Sequence, residues 1–598
     1  MFKCEINVVN EQVQSMRIRI NMINCLKYLG LFFATLVSVS AMAQRSTDFA
    51  LLDQHGTFHQ LSRYGESEFV VLFVQANGEP ASQQAIPLLQ DLHTRYSEQG
   101  VEVLMLNPIP GQSRQQIIDE LARIGVDLPV LQDSAQLVAR SLQVTTTDEA
   151  FILDPESHDV LYRGPLASGI AVPATPPETP YLEQALIALL EGDDLPEEEL
   201  PAVEGAPIAY LYQERFGDRQ ISYEDEIAPI LKRRCTTCHI EDGLAPWAMV
   251  SHRMIQGWSP MIREVLITHR MPPGQIDEQE GAWEDIHHIT DEELITLVHW
   301  IDSGARNAGE GDPLREQEEL SEQWALGEPD LIVDVPAIEV PATGMVDFKI
   351  RRADLNLTQD QWVQAVAYNV GDRSVLHSLL VFAVDPNIVE KDEAGLVSPE
   401  NTEFISLYVP PSTEEKFADD SAFLLRQDRD LSFKIRYVTG GRDTIDATRI
   451  GLYFRDTAPE YEVHNVIALN SQFSIPAGVV NQVEHAQTPV FENDVWVESF
   501  APQTHTRGKS MTISAQFPDG TVQRLINVAN YNFNWQMNYK MRERLLLPAG
   551  SRLISETVYD NSASNPQNVD PEADVKVGIT TYDEIFSHYI RVLKPVQQ

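Results

Sequence analysis

Three hydrophobic patterns follow one another along the chain. Between residue 44 and about 195, continuous apolar runs (Phe69 to Gln75, Val101 to Asn107, Glu149 to Asp154) alternate with amphipathic stretches. Runs that are apolar at every position suit strands covered on both faces, so this segment is expected to be an α/β unit. From 211 to 312 the period becomes helical. Ser222 can cap a helix from Tyr223 towards Arg234. Thr290 and Glu293 form a capping box before the stripe Leu294, Leu297, Val298, Ile301, which Gly304 ends. His299 on that helix reads as structural. After Gly311 the period is two: Leu431 to Tyr437, Ser510 to Phe517 and Val575 to Thr580 alternate as half-buried antiparallel strands do. The remaining span accommodates two β-sandwiches, 328–460 and 461–598.

Length agrees with this division, since 598 residues exceed what one core organises. Residues 1–43 read as an export signal. Arg17, Arg19 and Lys27 precede the apolar run Tyr28 to Ala41, and Ala41-Met42-Ala43 is a small-x-small cleavage pattern before Gln44. The other reading is an uncleaved anchor, and translation from Met16 or Met22 would shorten the signal. No later stretch reaches the roughly 18 apolar residues of a spanning helix, so the expectation is a soluble periplasmic or otherwise exported protein. The Pro- and Glu-rich sequence over 171–204, with Pro173, Pro176, Pro177, Pro180, a short helix and an acidic run, reads as a linker, and the boundary between the first two modules is placed at 196–210. The formal charge of −45 excludes nucleic acid and anionic membranes as natural partners. It serves solubility, or the steering of a basic redox partner protein.

Charge does not say what the chain does; its cysteines do. Cys4 and Cys25 fall in the signal, which leaves Cys235 and Cys238 and excludes a disulfide framework. They stand in Cys235-Thr236-Thr237-Cys238-His239, the spacing at which two thiols add to the two vinyl groups of haem c while the adjacent imidazole reaches the iron. A redox Cys-x-x-Cys and half of a zinc site are the competing readings. Met271, 32 residues beyond His239 in Arg270-Met271-Pro272-Pro273, is the candidate distal ligand. That Met-Pro pair resembles the distal loop of class I cytochromes c, which implies a small all-α cytochrome c domain over 211–312. His269 is the main alternative, and Met249, Met254 and Met261 are rivals.

The order of elements in 44–195, with Asp53 and Gly56 before the first strand and Tyr162-Arg163-Gly164-Pro165 near the end, resembles the thioredoxin-like redoxin family. The resemblance implies a reactive cysteine after the Phe69 strand. The sequence there is Ala76-Asn77-Gly78-Glu79-Pro80, and the Glu79 carboxylate cannot exchange thiols. A docking or structural module is expected.

The last region resembles the copper type II, ascorbate-dependent monooxygenases, such as peptidylglycine α-hydroxylating monooxygenase. Val375 to Phe382, Pro502 to Lys509, Tyr531 to Tyr539 with Trp535 and Gln536, Leu547 to Gly550, Asp560 to Ser562 and Asn565-Pro566 carry the resemblance. It implies two jelly-roll-type sandwiches, a copper held by a His pair and a third His, and a second copper held by His-x-His and Met. Here the pair is His377-Ser378, the third His position is Arg436, the His-x-His is Gln503-Thr504-His505, and the Met position is Ile585. One imidazole per site does not hold copper tightly, so His377 and His505 are residual positions. His464 and His485 are the nearest substitutes.

Two classes of function follow. In one, the chain is an electron carrier or auxiliary subunit without catalytic residues of its own, working with a redox partner such as a copper-containing homologue. In the other, it is a copper monooxygenase that draws electrons from its own haem.

Overall fold

A five-stranded sheet organises the first module in the order Val130–Gln132, Val101–Asn107, Phe69–Val74, Glu149–Leu153, Val160–Pro165. The first three strands are parallel and the last two antiparallel. In the central strand Val70, Leu72 and Val74 face one core while Val71 and Phe73 face another. That two-sided burial is why its sequence is apolar throughout. Helices Pro80–Tyr96, Arg114–Ile124 and Tyr181–Glu191 lend residues to the second core.

The structure is a computed structural model and describes residues 46–169, 179–195, 200–274, 276–284, 288–316, 324–387, 402–578, 580 and 582–596. The expected signal, Pro173, Pro176, Pro177 and residues 196–199 lie outside these.

The other face of the first sheet is covered by the helical segment. Phe216, Tyr223, Ile227, Leu231, Leu294 and Trp300 share one core with Leu72, Val74 and Leu106. The expected capping box at Thr290 and Glu293 is formed, and its helix runs Asp291–Asp302. Ser222 caps as expected, accepting from the Asp225 N–H, but the first turn, Tyr223–Ile227, is a π-turn before the α-helix Ala228–Arg234. His299 stacks on Phe216 at 5.1 Å, a structural place. The stretch read as a linker is pinned along the first module: Pro207 bridges to Thr146, and the Thr147 N–H donates to the Ala206 carbonyl at 2.8 Å.

The remainder is β-rich. A four-stranded sheet orders Lys349–Ala353, Asp430–Tyr437, Leu376–Val384 and Thr402–Tyr408; another orders Gln482–Gln487, Arg552–Tyr559, Gly508–Gln516 and Val522–Val528. Between them a nine-stranded sheet runs through both halves, because Ser421–Leu425 pairs in parallel with Tyr461–Asn470. The halves expected as separate bodies therefore share a sheet. In the stretch Val575 to Thr580, Val575–Lys576 pair with Ser474–Ile475 and Val577 makes a lone bridge to Glu584; residue 579 lies outside the described residues.

The modules interlock. Trp283 and Ile276 of the helical segment sit in the core of the second β half. Trp283 bridges to Met541, and the Arg542 N–H donates to the Ala282 carbonyl at 2.8 Å. Arg114 of the first module pairs with Asp277, whose N–H donates to the Asn527 carbonyl at 2.8 Å. Asn527 Nδ2 in turn donates to the Gly56 carbonyl at 2.9 Å. All three modules meet at this buried polar knot.

Candidate functional site

The Ala228–Arg234 helix ends at Cys235, and a tight turn follows. The Cys238 and His239 N–H groups both donate to the Cys235 carbonyl, at 3.1 and 3.0 Å. The turn gathers both thiols and the imidazole into one short loop. Burial pushes the Cys235 thiol up to about 12 and the Cys238 thiol up to about 11. Both are protonated at neutral pH, unlike the accessible thiolate that disulfide exchange needs.

His239 is 9% exposed, and burial lowers its pKa. Its Nδ1–H donates to the Trp247 carbonyl at 2.8 Å, so Nε2 carries the lone pair. This is how metal-ligating imidazoles are oriented. Trp247 packs against the ring at 5.2 Å and stacks on Trp258 at 5.4 Å. Among the described residues no group of three or more His, Cys, Asp or Glu could hold a metal ion, so no second half of a zinc shell stands beside the cysteines.

Met271 follows the His252–Ile267 helix, and its N–H and that of Arg270 turn back to the Val265 carbonyl. Met271 and His269 line one cavity of about 580 Å³ where the first module, the helical segment and the second β half meet. Burial holds His269 neutral, at about 4. Cys235, Cys238 and His239 do not line this cavity. The structure thus joins the two distal candidates to each other, and not to the proximal loop.

His377 and His505, one from each β half, are brought around one aromatic ring. His377 stacks on Phe533 at 5.5 Å and His505 meets the same ring edge-on at 6.1 Å. A β-bulge between Leu376 and Ser378 falls at His377, where the partner strand carries Arg436 and Tyr437. Bulges re-aim side chains in this way. Burial, then Arg436, push the His377 imidazole down to about 3. His505 Nδ1–H donates to the Asp583 carbonyl at 3.0 Å. Ile585 is buried, and its carbonyl accepts from the Tyr559 hydroxyl. His464 and His485 lie elsewhere, beside Glu462 and Glu556. Sequence reasoning missed Phe348 and Phe533, which look like ordinary core residues until the strands pair.

In the first module Glu79 precedes the Pro80–Tyr96 helix with no side-chain capping bond. Ser82 Oγ donates to Asp148 Oδ1 at 2.9 Å. Burial, with Glu79 adding to it, pushes Asp148 up to about 6. A raised carboxyl binds its proton more tightly folded than unfolded, so its contribution to stability falls as pH rises from about 4 to 6. Asp148→Asn keeps the Ser82 bond and removes the buried charge. It is expected to stabilise the protein by about 1–3 kcal/mol at pH 8, with the gain vanishing near pH 4 in urea titrations. A gain equal at both pH values would refute the assignment.

Residues 42–162 match the AhpC/TSA family. This module is thioredoxin-like. It is 26% identical over 122 residues to the thiol-disulfide oxidoreductase ResA of Geobacillus kaustophilus, covering 20% of this chain and 68% of that one. Solved structures similar to it include a hypothetical protein of Sinorhizobium meliloti 1021 (22% identity, 28% of this chain and 93% of that one, TM-score 0.26). An uncharacterized conserved protein of Geobacillus kaustophilus gives 24%, 28%, 91% and 0.26. Peroxidoxin BcpB of Mycobacterium tuberculosis gives 21%, 25%, 97% and 0.21. Among the described residues no helix is long and apolar enough to cross a membrane.

Proposed function

We propose that this chain is an exported electron-transfer protein carrying one haem c on Cys235 and Cys238, with His239 as the proximal ligand. The observation that carries this reading is the Cys235 to His239 turn, in which Trp247 holds the imidazole through Nδ1 and leaves the Nε2 lone pair for iron. Haem bound there would supply a one-electron iron couple. The chain's own part is to present both thiols from the end of one helix and to fix the ring against Trp247, which stacks on Trp258. Met271 would be the distal ligand, with His269 as the alternative; both line one cavity of the protein.

The thioredoxin-like module serves as a docking and structural unit, since Glu79 stands where its thiol belongs and its sheet shares a core with the helical segment. The β-rich region is read as paired jelly-roll sandwiches of the copper monooxygenase type. Copper does not fit it: around the Phe533 ring stand one imidazole from each half, His377 and His505, and the Arg436 guanidinium lies over that same ring. The carrier reading is therefore preferred to the monooxygenase reading, with a redox partner such as a copper-containing homologue.

The test is a pyridine haemochrome spectrum of denatured protein made in an export-competent host. Haem that stays with the chain through acid extraction is expected, at one per chain. Colourless protein with both thiols free would sink the proposal. About two coppers per chain would restore the enzyme reading.

A further inference from the structure

Two cations, Lys434 and Arg436, stand at the interface between the two β halves with no hydrogen-bonded carboxylate among the described residues. Lys434 and Arg436 stand two apart on Asp430–Tyr437, so both leave the sheet on one face. Phe433, Ile435 and Tyr437 take the other face, into the core. The Arg436 guanidinium lies 4.1 Å over Phe348 and 3.9 Å over Phe533. Lys434 Nζ lies 4.5 Å over the same Phe348 ring.

Among the described residues neither cation makes a hydrogen bond or an ion pair, although Arg436 is only 4% exposed. Arg436 Nε is buried without a partner, as are both ring nitrogens of His377 and Nε2 of His505, the two imidazoles whose pKa burial and then the Arg436 charge lower. Glu584, the carboxylate that could have answered, already accepts from the backbone N–H groups of His505, Arg507 and Ile585. Burial brings Arg436 down to about 10 and Lys434 down to about 8, so both stay charged at neutral pH.

A buried guanidinium without acceptors is costly, and ring faces return only part of that cost. Glu584 and Asp347 act on Arg436 only through space, without a hydrogen bond to it. Unpartnered polar atoms gathered at one place, among them the Arg436 Nε–H, mark where a ligand supplies acceptors to the guanidinium.

We propose that Lys434 and Arg436, walled by Phe348, Phe533, His377 and His505, bind a small carboxylate. Its two oxygens accept from the guanidinium fork, Lys434 supplies the second charge, and its apolar body packs on the phenyl rings. This site is independent of haem attachment.

The test is thermal unfolding of the full-length protein at constant ionic strength with acetate, benzoate, phosphate or chloride. Benzoate and acetate are expected to raise the midpoint saturably, benzoate at the lower concentration. Arg436→Met keeps the length without the charge and is expected to fold at least as well as the wild type. It should need at least tenfold more benzoate for the same shift, and Arg436→Lys, which lacks the fork, should fall between. No saturable carboxylate response, or the same response in Arg436→Met, would overturn the site. A response to phosphate with none to either carboxylate would overturn the ligand class.

Discussion

A Cys235→Ala, Cys238→Ala double variant is expected to leave an export-competent host with no haem attached, a complete loss against one per chain in the wild type. Each single variant should keep one thioether, with the haemochrome band shifted to the red because one vinyl group remains conjugated. The cause is local. The Ala228–Arg234 helix and the Cys235 carbonyl turn place both sulfurs in one loop, and each can close one bond only. His239→Ala should retain attachment and lose the proximal nitrogen, which separates anchoring from ligation. The measurement is absorbance after denaturation and extraction. Equal haem content in the double variant would show that the pentad does not anchor it.

The second large effect is expected at Gly56. It lies at φ +79, where a side chain is already strained. A Cβ there would stand 2.3 Å from the Asp277 carboxylate and 2.7 Å from the Asn527 amide. Those groups cannot yield freely, since Arg114 pairs with Asp277 and the Asp277 N–H is tied to Asn527. Gly56→Val is expected to cost about 3 kcal/mol or more, because it parts a buried ion pair as well as straining the backbone. Gly78 is the control. Its φ is +86, yet nothing lies within 4 Å of the Cβ position, so Gly78→Ala should cost only about 1 kcal/mol. Urea unfolding of the two variants side by side makes the comparison. Equal costs would show that the three-module knot contributes nothing beyond backbone strain.

The same contrast explains how much of this protein is legible in its letters. Thr290 with Glu293, Ser222, and the apolar run at Phe69 are signals read within a few residues, and each produced its element. Glu79 at a helix start was equally visible, because the loop before that helix is local. The path of the linker stretch was not legible, for a different reason. Its prolines and acids say nothing of the Thr145 and Thr147 edge on which residues 206–208 lie. Val575 to Thr580 alternates as a strand does, yet Val575–Lys576 pair with Ser474–Ile475 and Val577 makes a lone bridge to Glu584, because pairing decides strand length.

By itself, the sequence determined the order of α/β, helical and period-two stretches, the Cys235-Thr236-Thr237-Cys238-His239 spacing and the carboxylate of Glu79 at a helix start, because each is fixed by residue type and short spacing. Tertiary structure alone decided that His377, Arg436 and His505 would meet around Phe533, and that Gly56, Arg114, Asp277 and Asn527 would lock three modules. These residues are far apart along the chain, and only sheet register, one bulge and the burial of unlike surfaces together bring them within reach.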